Sequence, residues 1–279
     1  MAGNNNSHRV LLLSSRNSVF GAQVLRAVRA AGLNLVGVVV EDAYPRGDLC
    51  RFRRYARKYG LGATLFRAAE ATFDQLTTRR WFRETVERVE EAAVETGTPI
   101  EQVASINSPA ACAIIGNFNA GLGLLGGVSI LRRLIVRQFP LGMLNVHSGI
   151  LPRYRGNYCN RWALLNGDPC GVSVYLLDEG LDTGPVLATG EVARMRGERL
   201  EHYEARVSAA GAKFLAGIAS KYLAGGIEAR AQDPSVGHQY GLLPLTNAIR
   251  LHFLLWQHDR AKAPAVAESG SPGARNANR

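Results

Sequence analysis

Three side chains in this sequence have the types and placement to carry acyl chemistry together: an amide at Asn145, an imidazole at His147 and a carboxylate at Asp182. Asn145 and His147 close the apolar run 141–147 (LGMLNVH), and a loop with Pro152, Arg153, Arg155 and two glycines follows at once. Side chains two apart on a strand point to the same face, so the amide and the imidazole share one spot if 141–147 is a strand. Asp182 lies in the Asp/Gly-rich stretch 178–184 (DEGLDTG), which can enter from a neighbouring loop. Acyl transfer to an amine needs such a set. An amide N–H meets the oxyanion. An imidazole with a pKa of about 6.5 passes the moving proton, and a carboxylate favours its charged form. Taken singly, His147 also reads as a hydrogen-bonded structural histidine, and Asp182 as a turn former before Thr-Gly-Pro.

The elements that must position these residues are legible from hydrophobic periodicity. The run 9–15 (RVLLLSS) predicts a buried strand, 19–32 a helix stopped by Gly32, and 33–42 a second buried strand. This βαβ order predicts a parallel sheet. A basic helix over 51–60, a charged helix over 77–97 and a short strand near 98–104 are expected next. A helix over 108–119 begins with Ser-Pro, and 122–127 is a strand ending in two glycines. After 141–147 the pattern predicts a helix at 157–168, strands in 171–185 and 186–192, and a long helix at 203–226. The fold expected is α/β and Rossmann-like, with a mostly parallel sheet flanked by helices. A single unit spans 9–226, between a flexible stretch at 1–8 and a C-terminal extension, 227–263, with one helix. The small polar tail 264–279 is expected to be disordered.

In an open parallel sheet, ligands bind beyond the carboxyl ends of strands near a switch in strand order. Three strand ends carry unusual residues: Gly126-Gly127 before VSIL, Asn145 and His147, and the stretch 178–184. The ordered series LNVHSGILPRYRG, WALLNGD and GVSVYLLDEGLDTGPVL resembles the signature of the folate-dependent formyltransferases. That family pattern is Asn-x-His, a Ser-Leu-Leu-Pro-like loop and an Asp-x-Gly-Pro turn, and the match is close over roughly 120–192. The resemblance implies catalytic roles for Asn145, His147 and Asp182 and 10-formyltetrahydrofolate as donor. It also implies a pteridine cleft walled by Val128, Ser129, Ile130 and Leu131 on one side. Asp178, Glu179, Gly180 and Leu181 form the other wall, largely through backbone groups. Arg153 and Arg155 are candidates for an anionic part of either substrate, or are solvated loop charges.

Composition narrows the reading without choosing an acceptor. The 279 residues are 47% hydrophobic and 20% charged, enough for a sizeable core. The net charge of +10 suits an anionic partner. Four cysteines show no C-x-x-C pair and no metal-ligand spacing with histidine, so reduced thiols in the cytoplasm and no metal are expected. No apolar run approaches the roughly 20 residues of a membrane span. The segment 14–21 (SSRNSVFG) lacks both the G-x-G-x-x-G of a dinucleotide site and the glycines of a phosphate loop. That disfavours a dehydrogenase and, by the resemblance, a purine-pathway acceptor. Roughly 50 residues follow Gly226, with no strand series for the β-barrel that methionyl-tRNA formyltransferases add. A small amine, such as an amino sugar or an amino-acid-derived metabolite, is therefore the expected acceptor, and a nucleic-acid partner is not expected. Donor hydrolysis is the rival activity, a methionyl-tRNA formyltransferase without the usual C-terminal domain is another, and a homodimer stays open.

Overall fold

The computed structural model describes residues 8–42, 56–57, 60–62, 64–65, 87–233 and 235–260. The expected 51–60 helix, most of the charged segment 66–97 and the tail from 264 fall largely outside these residues. Strand β1 (Arg9–Ser15), helix α1 (Val19–Ala30) and strand β2 (Asn34–Glu41) form the first βαβ unit. Ser18 starts α1 because its hydroxyl accepts the Gly21 N–H. Helix α2 (Val89–Glu95), strand β3 (Ile100–Val103), helix α3 (Pro109–Asn117) and strand β4 (Leu122–Gly126) follow. Ser108 caps α3 through the Ala111 N–H, and Pro109 occupies the first turn, where its missing donor costs nothing. The second half runs helix α4 (Arg133–Val136), β5 (Met143–His147), β6 (Tyr154–Gly156), α5 (Cys159–Asn166), β7 (Gly171–Leu176) and β8 (Val186–Glu191). Helix α6 (Leu200–Leu223), β9 (His238–Tyr240) and α7 (Leu245–Arg260) complete it.

Seven strands form one sheet in the order β3-β2-β1-β4-β5-β7-β8. All pairs are parallel except those of β7, which runs against both neighbours. Alternation splits the core. Val10 and Leu12 pack on the α1 and α6 side with Val24, Leu25 and Leu215. Leu11 and Leu13 pack on the α3 and α4 side with Ala111, Ile115 and Ile135. On β5, Leu144 belongs to the first face and Met143 to the second. Asn145 and His147 share Met143's face but not its apolar cluster.

Residues 227–260 pack against the body of the fold. Leu243, Ala248 and Leu251 share a buried cluster with Tyr154, Cys159 and Tyr203. Strand β9 pairs in parallel with β6. This two-stranded sheet and the four-residue α4 are absent from the periodicity reading, because elements of three or four residues carry too few positions to show a period.

The chain folds tightly where β4 ends. A Cβ on Gly126 would lie 2.9 Å from the Gly21 Cα and 3.1 Å from a Leu12 methyl, so α1 crosses the strand end at glycine-only distance. Gly127 then turns the chain at φ +78°. Gly126→Ala should destabilise by about 1–3 kcal/mol, the usual cost of overpacking a close contact. Urea unfolding measures this, and an unchanged midpoint would show that α1 can back away from β4.

Candidate active site

Strand β5 pairs with β4 only through Gly123–Met143 and Leu124–Leu144, so its β4-facing edge is free from Asn145 onward. The opposite edge stays paired, Asn145 with Tyr175 and His147 with Ser173 of β7. The site lies on this half-released strand. His147 is buried at 7% exposure. Its Nε2 lies 2.8 Å from the Tyr154 carbonyl, and its Nδ1 lies 3.5 Å from Asp182 Oδ2. A carbonyl only accepts, so Nε2 carries a hydrogen and the neutral ring presents its Nδ1 lone pair towards Asp182. Burial lowers the basicity of His147 below the usual 6.5, against the opposing pull of the Asp182 charge and the Tyr154 carbonyl.

Asp182 is equally enclosed, at 8% exposure. Its Oδ2 accepts the Gly156 N–H at 2.9 Å, and its Oδ1 accepts the Tyr175 hydroxyl at 2.7 Å. The Tyr175 oxygen in turn accepts Nδ2 of Asn145 at 3.0 Å. Asn145, His147 and Asp182 are therefore brought together, and Tyr175 is the fourth member. Asp182 enters from a neighbouring loop, as expected, but that loop does not leave β7 at the end of β5 that carries His147. Because β7 is antiparallel, its carboxyl end lies beside the start of β5, where Leu176 pairs with Leu144. The 177–185 loop folds back instead, with Asp182 at φ +55°. Gln232 clamps it, donating to the carbonyls of Asp182 and Gly184 at 2.9 and 2.7 Å.

Two loops flank this cluster. The 127–132 loop is anchored from below. Buried Glu41 accepts the N–H groups of Ile106 and Ser129, and Asn107 bonds both Ile130 O and Arg132 N. Ile130 is left 83% exposed. In the 178–184 loop, the Asp178 carboxylate is used internally, accepting from Gly180 N and Thr183 Oγ1. Leu181 stays open, at 43% exposure. An exposed ion pair at 3.2 Å links Arg133, the first residue of α4, to Glu179 in the second loop.

The chain matches the formyl transferase family over residues 8–218. It belongs to that family. Among curated proteins it is 29% identical over 229 residues to the methionyl-tRNA formyltransferase of Chloroflexus aggregans, covering 81% of this chain and 63% of that protein. It is 34% identical over 146 residues to the methionyl-tRNA formyltransferase of Herpetosiphon aurantiacus, covering 52% of this chain and 48% of that one. The chain thus spans less than two thirds of the length of these curated relatives. Among solved structures, its fold resembles glycinamide ribonucleotide transformylase 1 from Symbiobacterium toebii, with a TM-score of 0.53 at 19% identity, over 84% of this chain and 98% of that one. It resembles equally a sugar N-formyltransferase from Shewanella sp. FDAARGOS_354, with a TM-score of 0.53 at 13% identity, over 87% and 86%.

The part matched by the formyl transferase family contains Asn145, His147, Tyr175, Asp182 and both flanking loops, and it ends before Gln232. The two loop arginines separate. Arg153 is spent on Asp168 at 3.0 Å and lies over the Tyr154 ring. Arg155 lies on β6 beside Gly156, and its Nε is buried with no hydrogen-bond partner. Sequence reasoning missed Tyr175, Gln232 and Glu41. Tyr175 shows in the sequence only as one residue of an alternating strand, which does not reveal the partners of its hydroxyl. Among the described residues, no cluster of His, Cys, Asp and Glu could hold a metal, and no helix is long and apolar enough to cross a membrane.

The lowered basicity of His147 has a measurable sign. An unfolded chain takes up the proton near pH 6.5, and the folded chain resists it. Any stability this group confers is therefore complete above about 6.5 and lost as pH falls through the lower folded value. His147→Gln should flatten the fall of melting temperature between pH 7.5 and 5 relative to wild type. Parallel curves would mean that the folded ring titrates as it does in water.

Proposed function

We propose that this chain transfers the formyl group of 10-formyltetrahydrofolate to the primary amine of an acceptor bearing an anionic group. The observation that carries the reading is the linked set Asn145–Tyr175–Asp182–His147 between two loops that leave Ile130 and Leu181 open. Exposed apolar side chains on two neighbouring loops, beside backbone polar groups, suit a flat heteroaromatic ring such as a pteridine. Val128, Ser129 and Leu131 would complete one wall with Ile130. Asp178, Glu179 and Gly180 would complete the other with Leu181, and the donor's activated formyl group supplies the carbonyl under attack.

As the amine nitrogen bonds to the formyl carbon, negative charge grows on the formyl oxygen. The Asn145 N–H that Tyr175 does not use would meet it. The His147–Asp182 pair would take the proton from the attacking nitrogen, with Asp182 stabilising the charged ring. The same proton would pass to the donor's aryl nitrogen as its bond to the formyl carbon breaks. One N–H is lost from the amine and one is gained by the leaving nitrogen, so the transfer balances.

The acceptor is proposed to be a small amine. Arg155, one residue before the Gly156 N–H that holds Asp182, has an unmet Nε, and the chain carries an excess of positive charge. A second reading, formylation of the aminoacyl group of a tRNA, is favoured by the 29–34% identity to methionyl-tRNA formyltransferases. One panel separates the readings: purified protein, 10-formyltetrahydrofolate, amino sugars, amino acids, nucleotide-linked amines and methionyl-tRNA, with the formylated product identified by mass. Formate released without any amine would assign hydrolysis instead.

On the acceptor found, Asn145→Ala should cut kcat on the order of 100- to 1,000-fold. His147→Ala and Asp182→Ala should be as severe, with losses less than additive in combination. Near-normal turnover per folded molecule would remove the cluster from the chemistry. Arg155→Ala should raise the acceptor KM about 10- to 100-fold, the worth of one hydrogen bond to a charged group. Arg153→Ala should leave it within about twofold, since that side chain already serves Asp168. Equal effects of the two substitutions would refute the division of labour.

A further inference from the structure

We propose that Tyr175 is a positioning residue whose single hydroxyl fixes both the orientation of the Asn145 amide and the charge that faces His147. The inference rests on the formyl-transfer reading for its effect on turnover, but its geometry stands independently. Tyr175 is buried on β7, directly across from Asn145 in the antiparallel ladder. Its hydroxyl has one hydrogen, and a carboxylate only accepts, so that hydrogen goes to Asp182 Oδ1 at 2.7 Å. What remains for Asn145 is a lone pair, 3.0 Å from Nδ2. Only the NH2 end of the amide can face a lone pair. The flipped amide would set two acceptors against each other inside a buried site. One Asn145 N–H is therefore consumed by Tyr175, and the other is held in a fixed direction, available to an oxyanion.

The same hydroxyl acts on the other half of the site. With Tyr175 on Oδ1 and the Gly156 N–H on Oδ2, both oxygens of Asp182 are held, and Oδ2 is the one placed 3.5 Å from His147 Nδ1. Two donors disperse the carboxylate charge and moderate its pull on the imidazole. The groups facing His147 are Asp182 from the β7–β8 loop, the Tyr154 carbonyl from β6 and Cys159 from α5. Burial pushes the Cys159 thiol up to about 12, so it stays neutral. Burial, reinforced by the Asp182 charge, also pushes the Tyr175 hydroxyl well up, so it stays a donor throughout the working range. Among the described residues Asp182 is then the one charge facing the ring, and Tyr175 the group that tempers it.

Tyr175→Phe deletes the hydroxyl and keeps the ring. Two readouts are taken on the full chain: steady-state kinetics with 10-formyltetrahydrofolate and the acceptor found by the panel, and the His147 titration midpoint by NMR of the ring Cε1–H. The expected result is a kcat lower by about 10- to 100-fold with a donor KM within about twofold. The His147 midpoint should move upward, because the Asp182 charge facing it is no longer shared. Genetically encoded 3-fluorotyrosine at 175 keeps both hydrogen bonds and should return both readouts to near wild type. It also serves as the folded comparison if the Phe variant is unstable. A midpoint unmoved in Tyr175→Phe, or one the fluorinated residue does not restore, overturns the proposal whatever turnover does. A midpoint moved by Tyr175→Phe, when the wild-type protein itself forms no formylated product with any acceptor of the panel, overturns the formyl-transfer reading alone.

Discussion

A carboxylate taken out of water must have its charge met by donors, or the fold will not tolerate it. Asp182 is in that position, and the way it is satisfied dictates the arrangement around it. Tyr175 from β7 and the Gly156 N–H from β6 donate to it, His147 from β5 lies beside it, and Gln232 from beyond α6 holds the Asp182 backbone. Three strands and a segment some fifty residues downstream converge on one loop residue with a left-handed backbone. Displacing that loop by an ångström would strand the charge and disorganise Asn145 in the same movement, since Tyr175 connects them. The carboxylate thus acts as a geometric lock as well as a charge.

The lock explains why the sheet changes character at β5. Up to Leu144 the strand behaves as an interior parallel strand, with apolar residues on both faces. From Asn145 it has β7 on one edge only, and one face turns polar. Ser173 reinforces that edge, accepting the Leu151 N–H and donating to the Gly149 carbonyl, which ties down the loop after His147. A buried polar face is costly unless its groups are matched, and around Tyr175, Asp182 and Ser173 the matches are side chain to side chain or to a named backbone group. The consequence is rigidity where a reacting group would need fixed partners, next to a strand edge left open where β4 has departed.

How much of this could be read beforehand follows from the length of each signal. The βαβ unit, the helix opened by Ser108-Pro109 and the run ending in Asn145 and His147 are long, periodic or capped, and the structure has them within a few residues. The pairing of Asn145 with His147 needed only the two-residue repeat of a strand. The route taken by Asp182 was hidden, because strand direction is a tertiary property: GVSVYL reads the same whether it runs with or against β5. Tyr175 was hidden for a related reason. An apolar-looking residue in a buried strand gives no hint that its hydroxyl meets an amide across the ladder and a carboxylate seven residues on. Glu41 likewise ends a strand, as an ordinary acidic terminus does. Its role in holding Ile106 and Ser129 exists only once β2, β3 and β4 have brought three loops together.

The weakest stretch of sequence contributes to the most constrained part of the site. Between 227 and 240 there is little periodicity, yet this segment supplies the Gln232 clamp and strand β9. Strand β9 fixes β6, and β6 presents both the Gly156 N–H that holds Asp182 and the Arg155 side chain with its unmet Nε. The aromatic rings of Tyr154, Tyr240 and Trp162 stack behind that ribbon at centroid separations of 5.0 and 5.1 Å, which stiffens it from the far side. The family match ends at residue 218, before any of these contacts with β9 and Gln232. Both loops beside Asn145, His147 and Asp182 lie within the matched residues, whereas Gln232, which holds one of them, does not. Arg155 and the Gly156 N–H share one strand, and the part of the chain that braces it also supplies Gln232, so this following segment supports the carboxylate lock and the neighbouring arginine together.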